Sequence, residues 1–489
     1  MNVSLVWPML LYLAAVFVIG YFSSKHMGKA PRFLQEYFLG GRELGGFMLA
    51  MTLTATYGSA SSFLGGPGTA YTLGLGWVLL AMSQLVTGYF TLAVLGKKFA
   101  IMSRKIGAVT LVDFLQARYR SKGVVLWSSF AILLFLFSAM AAQWVGGGRL
   151  IQSFTGIPYE AALFIFAVTV LGYVAVGGFR AVAITDAIQG VIMVAGTVVL
   201  LIATVVVGGG VEPIMEKLAA ENPRLITPFG ADGSLTPLYV SSFWILVGVG
   251  VVGLPQVAVR AMSYKDSRAM HRAMVIGTFV IGAIMLGMHL IGVFARAVVP
   301  GVEVGDTVMP VLALKVLPAW LAGIFLAAPM AAIMSTVDSL LLLISSTLIK
   351  DVYLNYIRPE ADARTVKILS VTVTAVIGVL VFLTAIKPPE LLIWLNLYAF
   401  GGLEAAFIWP IVLGLYWKKG NDCGAMISII VGMASYLVFG RIWENPLGMH
   451  GVVLPVILSL LGYVIGSWLT SHRDRERQRE IIVRFWGVR

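Results

Sequence analysis

The stretch TATYGSASSFLGGPGTAY, residues 54–71, interrupts an apolar segment with four glycines and one proline. Glycine and proline break helices, and a broken helix leaves backbone carbonyl groups without their usual partners. At membrane depth such a break is tolerated only where the freed groups line a cavity or bind an ion, because lipid forms no hydrogen bonds with them. What the interruption means therefore depends on whether this chain lies in water or in lipid.

Composition indicates lipid. The chain has 489 residues, of which 59% are hydrophobic and 12% are charged, whereas soluble domains carry roughly a quarter charged residues. About thirteen apolar windows are long enough to cross a membrane. We number them segments 1 to 13; they centre near residues 13, 59, 85, 136, 167, 197, 249, 285, 333, 376, 404, 432 and 460. The sequence thus predicts an all-α polytopic membrane protein.

The Lys and Arg residues predict its orientation. With the N-terminus outside and the C-terminus in the cytoplasm, about four of every five of the 35 basic residues lie on the cytoplasmic side, as the positive-inside rule requires. Lys25 and Lys29 follow segment 1, so this segment is predicted to be a retained anchor and not a cleaved signal peptide. We assign the net charge of +12 to these loops and expect no nucleic-acid binding. Cys423, the single cysteine, excludes a disulfide within the chain.

A second interruption, VGVGVVGLPQVAVR at residues 247–260, divides segment 7. It lies five segments after the first interruption, in segment 2. Paired breaks at corresponding places in two halves indicate a secondary transporter built from inverted repeats, with its binding site at mid-membrane. The alternative is that these glycines only allow helices to pack closely, which is common in membranes.

The segment order predicts a division of the chain into six parts. These are residues 1–45 (segment 1 and a cytoplasmic loop), 46–210 (first repeat, segments 2–6), 211–238 (extracellular loop), 239–418 (second repeat, segments 7–11), 419–470 (segments 12 and 13) and 471–489 (basic cytoplasmic tail). The tail has an amphipathic end, so contact with membrane lipid is one expectation; a solvated tail is the favoured one.

Segment 9 contains a polar cluster in MAAIMSTVDSLLLLISS, residues 330–346. Ala332, Ser335 and Thr336 stand at i, i+3 and i+4, which places one carbonyl and two hydroxyls on a single helix face. Neutral oxygens without carboxylates, His or Cys suit Na⁺ better than a divalent or transition metal. Further oxygens would come from exposed carbonyls between Ala55 and Gly58. Alternatively, both hydroxyls only bond back to the preceding turn.

Three other charged residues lie in apolar segments. Asp338 could face the cytoplasmic side or pair with a neighbouring helix, and Glu404 could fix a helix contact or reach substrate. Both roles stay open. Arg260 follows the break in segment 7, and we assign it to the cytoplasmic end as positive-inside charge before a role as carboxylate anchor.

Three stretches together resemble the sodium:solute symporter family: GYVAVGGFRAVAITDAIQG (172–190), GSASSFLGGPG (58–68) and AAIMSTVDS (331–339). The resemblance implies a leucine-transporter-like core of 5+5 inverted repeats in segments 2–11, with segments 2 and 7 discontinuous. It further implies a sodium site made by Ala55, Gly58, Ala332, Ser335 and Thr336, with Asp186 on the path of sodium release. Where relatives often carry an acid or amide near the ion, this chain has Tyr57 and Gly58, so a single neutral sodium site is favoured.

At finer grain, EYFLGGREL (36–44) and KPPELLIWLNLYAFGGLEA (387–405) are similar to the pantothenate-importing branch of that family. The resemblance implies sodium-coupled import of pantothenate by alternating access across a bacterial cytoplasmic membrane. The sequence shows no nucleophile–base pair, metal cluster or phosphate loop, so we expect neither an enzyme nor a cofactor beyond Na⁺, and no obligate protein partner. Alternatives are a symporter for proline, a sugar or another monocarboxylate, and a sensor that does not transport.

A pocket for pantothenate needs hydrogen-bond donors and acceptors for its carboxylate, two hydroxyls and amide. Broken helices supply backbone N–H groups and positive dipole ends at mid-membrane. Polar side chains near the breaks are the predicted substrate residues, although each could instead join two helices: Ser59, Ser61, Ser62, Gln84, Gln143 and Gln256.

Overall fold

A chain in lipid satisfies its backbone hydrogen bonds within helices, and helices dominate this fold. The computed structural model describes residues 7–15, 18, 22, 39, 42–388, 391–443, 445–472 and 475–486, without the side chains of 173–183, 363 and 475. Within these ranges the only β pairing is an isolated bridge between Leu44 and Tyr264. The predicted all-α class is therefore confirmed.

Helices coincide with the predicted apolar segments, in order. Their bounds are Gly46–Tyr57 and Gly66–Leu73 (segment 2), Leu75–Gly96 (3), Lys122–Thr155 (4), Tyr159–Val207 (5 and 6), Pro237–Gly253 and Pro255–Met262 (7), Ser267–Val298 (8), Ala319–Ile357 (9), Ala363–Ala385 (10), Ile393–Tyr416 (11), Asp422–Ile442 (12) and Val453–Leu469 (13). Of segment 1 the structure describes residues 7–15, 18 and 22, all helical, while Lys25 and Lys29 lie outside the described residues. The total of thirteen thus stays a prediction.

Segments 5 and 6 were predicted as separate helices, but helical backbone runs without interruption from Tyr159 to Val207, over 49 residues. A straight helix of that length would measure about 74 Å, more than twice the hydrocarbon thickness of about 30 Å. Its two ends contact different helices. The Tyr159 hydroxyl donates to the Ala385 carbonyl of segment 10 at 2.8 Å, whereas Gly196 packs on Ala328 of segment 9. The sequence between segments 5 and 6 contains no proline, so helical backbone can continue through it.

The break in segment 2 is narrower than the sequence predicted. The first helix ends at Tyr57, and Gly58 adopts an extended conformation (φ −65°, ψ 129°). A wide turn over Ser61–Gly65 follows, and helix Gly66–Leu73 then continues through Pro67. Proline is accommodated there because the first turn of a helix does not use its N–H group. The interruption is therefore Gly58–Ser59, and the later glycines do not break the helix.

Gly68 serves close packing instead. A β carbon built on Gly68 would lie 2.4 Å from the carbonyl oxygen of Gly305. Such an approach is shorter than any van der Waals contact, and the atom it meets belongs to backbone that cannot rotate away. The loop before Val308–Val316 thus rests directly on the second half of segment 2.

We expect Gly68→Ala to lower the free energy of unfolding by about 1–3 kcal/mol, the usual cost of overpacking. Thermal unfolding of the purified protein in detergent measures this. The matched control is Gly440→Ala in segment 12, where an added β carbon meets no atom within 4 Å and alanine favours the helix. Equal melting temperatures for the two variants would show that the contact at Gly68 is unimportant.

Segment 7 is broken as predicted. Helical turns over Pro237–Gly253 and helix Pro255–Met262 are bent by 50° at Leu254, which has extended backbone (φ −84°, ψ 121°). The turns before the break are irregular, with wide turns over Trp244–Val249 and tight turns over Gly250–Gly253. Both predicted breaks therefore exist in the described fold.

The C-terminal tail is folded onto the membrane-spanning body, contrary to the solvated tail that the sequence favoured. Helix Arg475–Trp486 buries Phe485 against Phe114, with ring centroids 6.0 Å apart. Arg120 and Glu480 form an ion pair at 2.8 Å along the edge of this contact. The apolar face of the tail helix therefore packs on the protein itself. The sequence pattern alone did not identify this contact surface.

Candidate functional site

The five atoms predicted to bind sodium lie together between segments 2 and 9. Ser335 Oγ donates to the Ala55 carbonyl at 2.7 Å and lies 3.0 Å from the Ala332 carbonyl. Thr336 Oγ1 donates to the Gly58 carbonyl at 2.8 Å and also lies 3.0 Å from the Ala332 carbonyl. All five residues are buried. Three carbonyls and two hydroxyls thus form one cluster of neutral oxygens, which we call the oxygen cluster.

Local sequence accounts for this geometry. The Gly58 carbonyl is turned out of the helix because the backbone becomes extended there, and the i, i+3, i+4 spacing in segment 9 aligns its hydroxyls with Ala332. The alternative, that both hydroxyls only bond back to the preceding turn, does not describe the structure, because each hydroxyl also contacts a carbonyl of segment 2. Each hydroxyl has one proton and two lone pairs, so rotation of the proton turns a lone pair toward a bound cation.

Gln143 lies beside the break, where it contacts the backbone of segment 2. Its Oε1 accepts a hydrogen bond from the Ala60 N–H at 2.8 Å, and its Nε2 lies 3.4 Å from the Ala139 carbonyl. Because this side chain is fully buried, no water replaces it as the partner of Ala60. Gln143 thereby holds the chain immediately after Gly58 against segment 4.

We expect Gln143→Met to cost about 1–3 kcal/mol of stability, because a buried N–H group loses its acceptor. Loosening of the Gly58–Ala60 backbone should also raise the sodium concentration needed for half-maximal uptake. Thermal unfolding and sodium titration of uptake measure the two effects. Gln143→Glu is the matched control, because a carboxyl group that burial keeps neutral still offers an acceptor at the same reach. It should be milder in both assays, and a Met variant that behaves like wild type would contradict this role.

Four of the six predicted substrate residues line one cavity next to the break, with an empty volume of about 470 Å³. The predicted residues in its wall are Ser59, Ser61, Ser62 and Gln84. The Ser61 hydroxyl has no hydrogen-bond partner among the described residues, which leaves it available to a ligand.

Sequence reasoning missed much of this wall. Asn396 and His289 add polar groups, and aromatic rings enclose the rest: Tyr57, Trp77, Phe243 and Phe400. An amide in the largely apolar segment 11 was a signal that could have identified Asn396. The aromatic residues carried no such signal, because their spacing is that of ordinary packing. Gln256, the remaining predicted residue, is buried beyond the break in segment 7 and does not line the cavity.

A buried charged network lies one helical turn from the oxygen cluster. Asp186 Oδ2 accepts from Thr52 Oγ1 at 2.5 Å and lies 3.5 Å from Arg260 Nη2. The same guanidinium nitrogen donates to Ser339 Oγ at 2.5 Å, and Ser339 Oγ donates to the Ser335 carbonyl at 2.8 Å. Hydrogen bonds therefore connect Asp186 to a residue of the oxygen cluster.

The burial of Arg260 corrects its assignment to the cytoplasmic end as loop charge. Its side chain is 1% exposed, and such a charge is tolerated in an apolar interior only with partners. Asp186 provides one, and Asp338 lies within electrostatic range of the same guanidinium. Asp338 thus belongs to this network, a placement that the sequence had left open.

A second, smaller cavity adjoins the network. Its empty volume is about 270 Å³, and its wall is formed by Val109, Val259, Arg260, Ser339, Leu342, Leu343 and Ser346. Arg260 and Ser339 thus belong both to the wall of this cavity, which we call the inner cavity, and to the hydrogen-bonded network that reaches the Ser335 carbonyl.

The chain is similar in sequence and in structure to known proteins. Residues 37–432 match the model of the sodium:solute symporter family. A sodium/pantothenate symporter of Escherichia coli is 51% identical over 96% of this chain and 97% of its own length. The corresponding protein of Haemophilus influenzae is 48% identical over 98% and 99%. A solved structure of a Na⁺-coupled sialic acid symporter, in a substrate-bound outward-open state, superposes with a TM-score of 0.79 at 20% identity, covering 96% and 98% of the two chains.

Proposed function

This chain belongs to the sodium:solute symporter family, and we propose that it imports pantothenate together with sodium across a bacterial cytoplasmic membrane. The observation that carries the proposal is the position of the break in segment 2. On one side of the break Ala55 and Gly58 offer carbonyls to the oxygen cluster. On the other side Ser59, Ser61 and Ser62 line the 470 Å³ cavity. One unwound segment thus serves ion and substrate.

We assign sodium to the oxygen cluster of Ala55, Gly58, Ala332, Ser335 and Thr336. Five neutral oxygens suit a hard monovalent cation, whereas Ca²⁺ would require carboxylates and a transition metal would require nitrogen or sulfur ligands. Sodium acts here as the coupling ion and not as a resident cofactor. The absence of an acid at position 57 or 58 supports a single neutral site.

Pantothenate fits the chemistry of the 470 Å³ cavity. Its hydroxyls and amide match the serines, Gln84 and Asn396, and its apolar methyl groups match the aromatic wall. The described lining contains no Lys or Arg, so backbone N–H groups and the nearby sodium ion would balance the substrate carboxylate. Binding of the cation next to an anionic substrate is therefore a direct electrostatic route to coupling.

Sodium release toward the cytoplasm is proposed to follow the inner cavity. The Asp186 carboxylate attracts the departing ion without being one of its five ligands, and Arg260 limits how strongly that carboxylate retains it. This assignment needs the N-terminus outside and the C-terminus inside, the orientation that the basic residues predict. The division into repeats at 46–210 and 239–418 belongs to the same proposal and is supported by the spacing of the two breaks.

Counterflow in proteoliposomes tests the proposal. Vesicles preloaded with unlabelled pantothenate should accumulate labelled pantothenate when Na⁺ is present on both sides, and should fail to do so when choline replaces Na⁺. Excess external proline, sugar or simple monocarboxylate should not reduce the signal, whereas pantothenate should abolish it. Counterflow without sodium, or equal competition by proline, would refute the assignment, and binding without counterflow would indicate a sensor.

A further inference from the structure

Glu404 is a buried acid that the proposed sodium and substrate sites do not use. It lies in segment 11 with no exposed surface, and neither carboxyl oxygen has a hydrogen-bond partner among the described residues. An ionised carboxylate in an apolar interior is stabilised only by a cation or by several hydrogen bonds. The geometry around Glu404 therefore calls for a ligand or for a neutral carboxyl group.

The Glu404 carboxyl group packs against the backbone just before the break in segment 7. A β carbon built on Gly250 would lie 2.6 Å from Glu404 Oε2 and 2.2 Å from the Ile245 carbonyl oxygen. A β carbon on Gly253 would lie 3.1 Å from the Glu404 α carbon. Two glycines of the tight turns over Gly250–Gly253 thus leave the space that this acid occupies, immediately before the 50° bend.

The groups around Glu404 do not compensate a negative charge. Tyr57 of segment 2 and Tyr436 of segment 12 lie within electrostatic range. The Tyr57 hydroxyl already donates to the Val247 carbonyl at 3.0 Å. Segment 4 presents the phenyl ring of Phe135 to neighbouring Gly402.

Other basic and phenolic side chains near segment 11 form hydrogen bonds farther toward its C-terminal end. Arg118 donates to the Gly414 carbonyl, and Tyr119 donates to the Pro410 carbonyl. Tyr463 of segment 13 meets the Tyr119 hydroxyl at 2.7 Å. None of these contacts supplies Glu404 with a positive charge or a donor.

We propose that Glu404 is a proton-binding site, occupied in the conformation described here and linked to the bend in segment 7. A proton requires one oxygen, whereas sodium requires a set of oxygens such as the oxygen cluster, and neither Glu404 oxygen has a polar partner in the described part of the chain. The neutral carboxyl group fits its apolar surroundings, because it carries no charge that they would have to compensate. Loss of the proton places a bare charge on the break and disfavours this arrangement of segment 7.

Infrared difference spectroscopy tests the proton directly and independently of any substrate. At neutral pH the wild-type spectrum minus that of Glu404→Gln should contain the C=O band of a protonated carboxyl group. Glu404→Asp, which keeps an acid, should shift this band without removing it. If the Gln variant does not fold, Glu404→Met, of similar length and apolar, replaces it as the reference. A difference spectrum with carboxylate bands only would overturn the proposal.

The link to segment 7 is tested by the pH dependence of sodium-driven uptake at saturating sodium. Above the pKa of a required acid, the protonated fraction falls about tenfold per pH unit, so wild-type uptake should decline toward alkaline pH. Glu404→Gln mimics the protonated form and should keep its uptake over the same range, while Glu404→Asp should still decline. Superimposable pH profiles for wild type and Glu404→Gln would overturn the link.

Discussion

Ser335→Ala and Thr336→Ala should each raise the sodium concentration for half-maximal pantothenate uptake by about tenfold or more, since losing one ligand worth about 1.4 kcal/mol changes affinity tenfold. Alanine supplies no oxygen in place of the hydroxyls that now contact Ala55 and Gly58 at 2.7 and 2.8 Å. Sodium titration of uptake, normalised to the amount of protein in the membrane, measures the effect. Thr336→Ser keeps a hydroxyl and should stay close to wild type.

The matched control is Ser345→Ala in the same helix. Ser345 is equally buried, but its hydroxyl lies 3.4 Å from the Ser370 carbonyl, far from the break in segment 2. Its loss should leave the sodium dependence of uptake unchanged. If both Ser335→Ala and Thr336→Ala also leave that dependence unchanged, the oxygen cluster is not the sodium site.

Asp186→Asn should slow turnover by about tenfold or more, which corresponds to about 1.4 kcal/mol in the barrier, while equilibrium sodium binding changes little. The carboxylate contacts Thr52 and Arg260 and is not one of the five cluster oxygens. Its charge lowers the energy of a cation that moves inward past Arg260. Turnover from counterflow and sodium affinity from a binding titration in detergent separate the two quantities. A large loss of sodium binding would refute the release role.

A structural effect of the same substitution has to be separated from release. Removing one partner of a buried ion pair commonly costs about 3–5 kcal/mol, because the other charge is left uncompensated. The double variant Asp186→Asn/Arg260→Gln removes both charges and should recover thermal stability. Turnover should remain slow in the double variant. Recovery of turnover together with stability would show that Asp186 acts only by holding Arg260.

The sequence was informative wherever a local pattern has one physical meaning. Glycine and proline in lipid indicated breaks, and both breaks are present, at Gly58 and at Leu254. The spacing of Ala332, Ser335 and Thr336 placed three oxygens on one face, but the family resemblance was needed to pair them with Ala55 and Gly58. The structure brings these five together, and their role as sodium ligands stays a prediction.

The sequence was less informative wherever a tertiary partner decides the outcome. Arg260 resembles loop charge until Asp186, 74 positions away in sequence, is found beside it. Gln143 was predicted to contact substrate, and its contact with the Ala60 N–H could not be read from the sequence; its role toward substrate stays a prediction. The basic sequence of the tail indicated a solvated segment, but its Phe485 ring packs on Phe114. In each case a contact between distant residues fixes the side chain, and local periodicity contains no information about that contact.

In the proposed mechanism, one broken helix links the ion and the substrate. Ordering the unwound backbone costs roughly 1–2 kcal/mol of conformational entropy per fixed residue. A bound sodium ion orders much of this backbone before substrate binds, so substrate binding then costs less entropy. Linked sites typically couple by about 1–3 kcal/mol, or roughly 5- to 150-fold in affinity.

The most direct test is the affinity of the purified protein for pantothenate, measured in detergent with Na⁺ and with choline at equal ionic strength. We predict that Na⁺ tightens pantothenate binding at least several-fold and that pantothenate tightens sodium binding by the same factor. Equal pantothenate affinity in the two salts would contradict the account, because the break in segment 2 would then not connect the two sites.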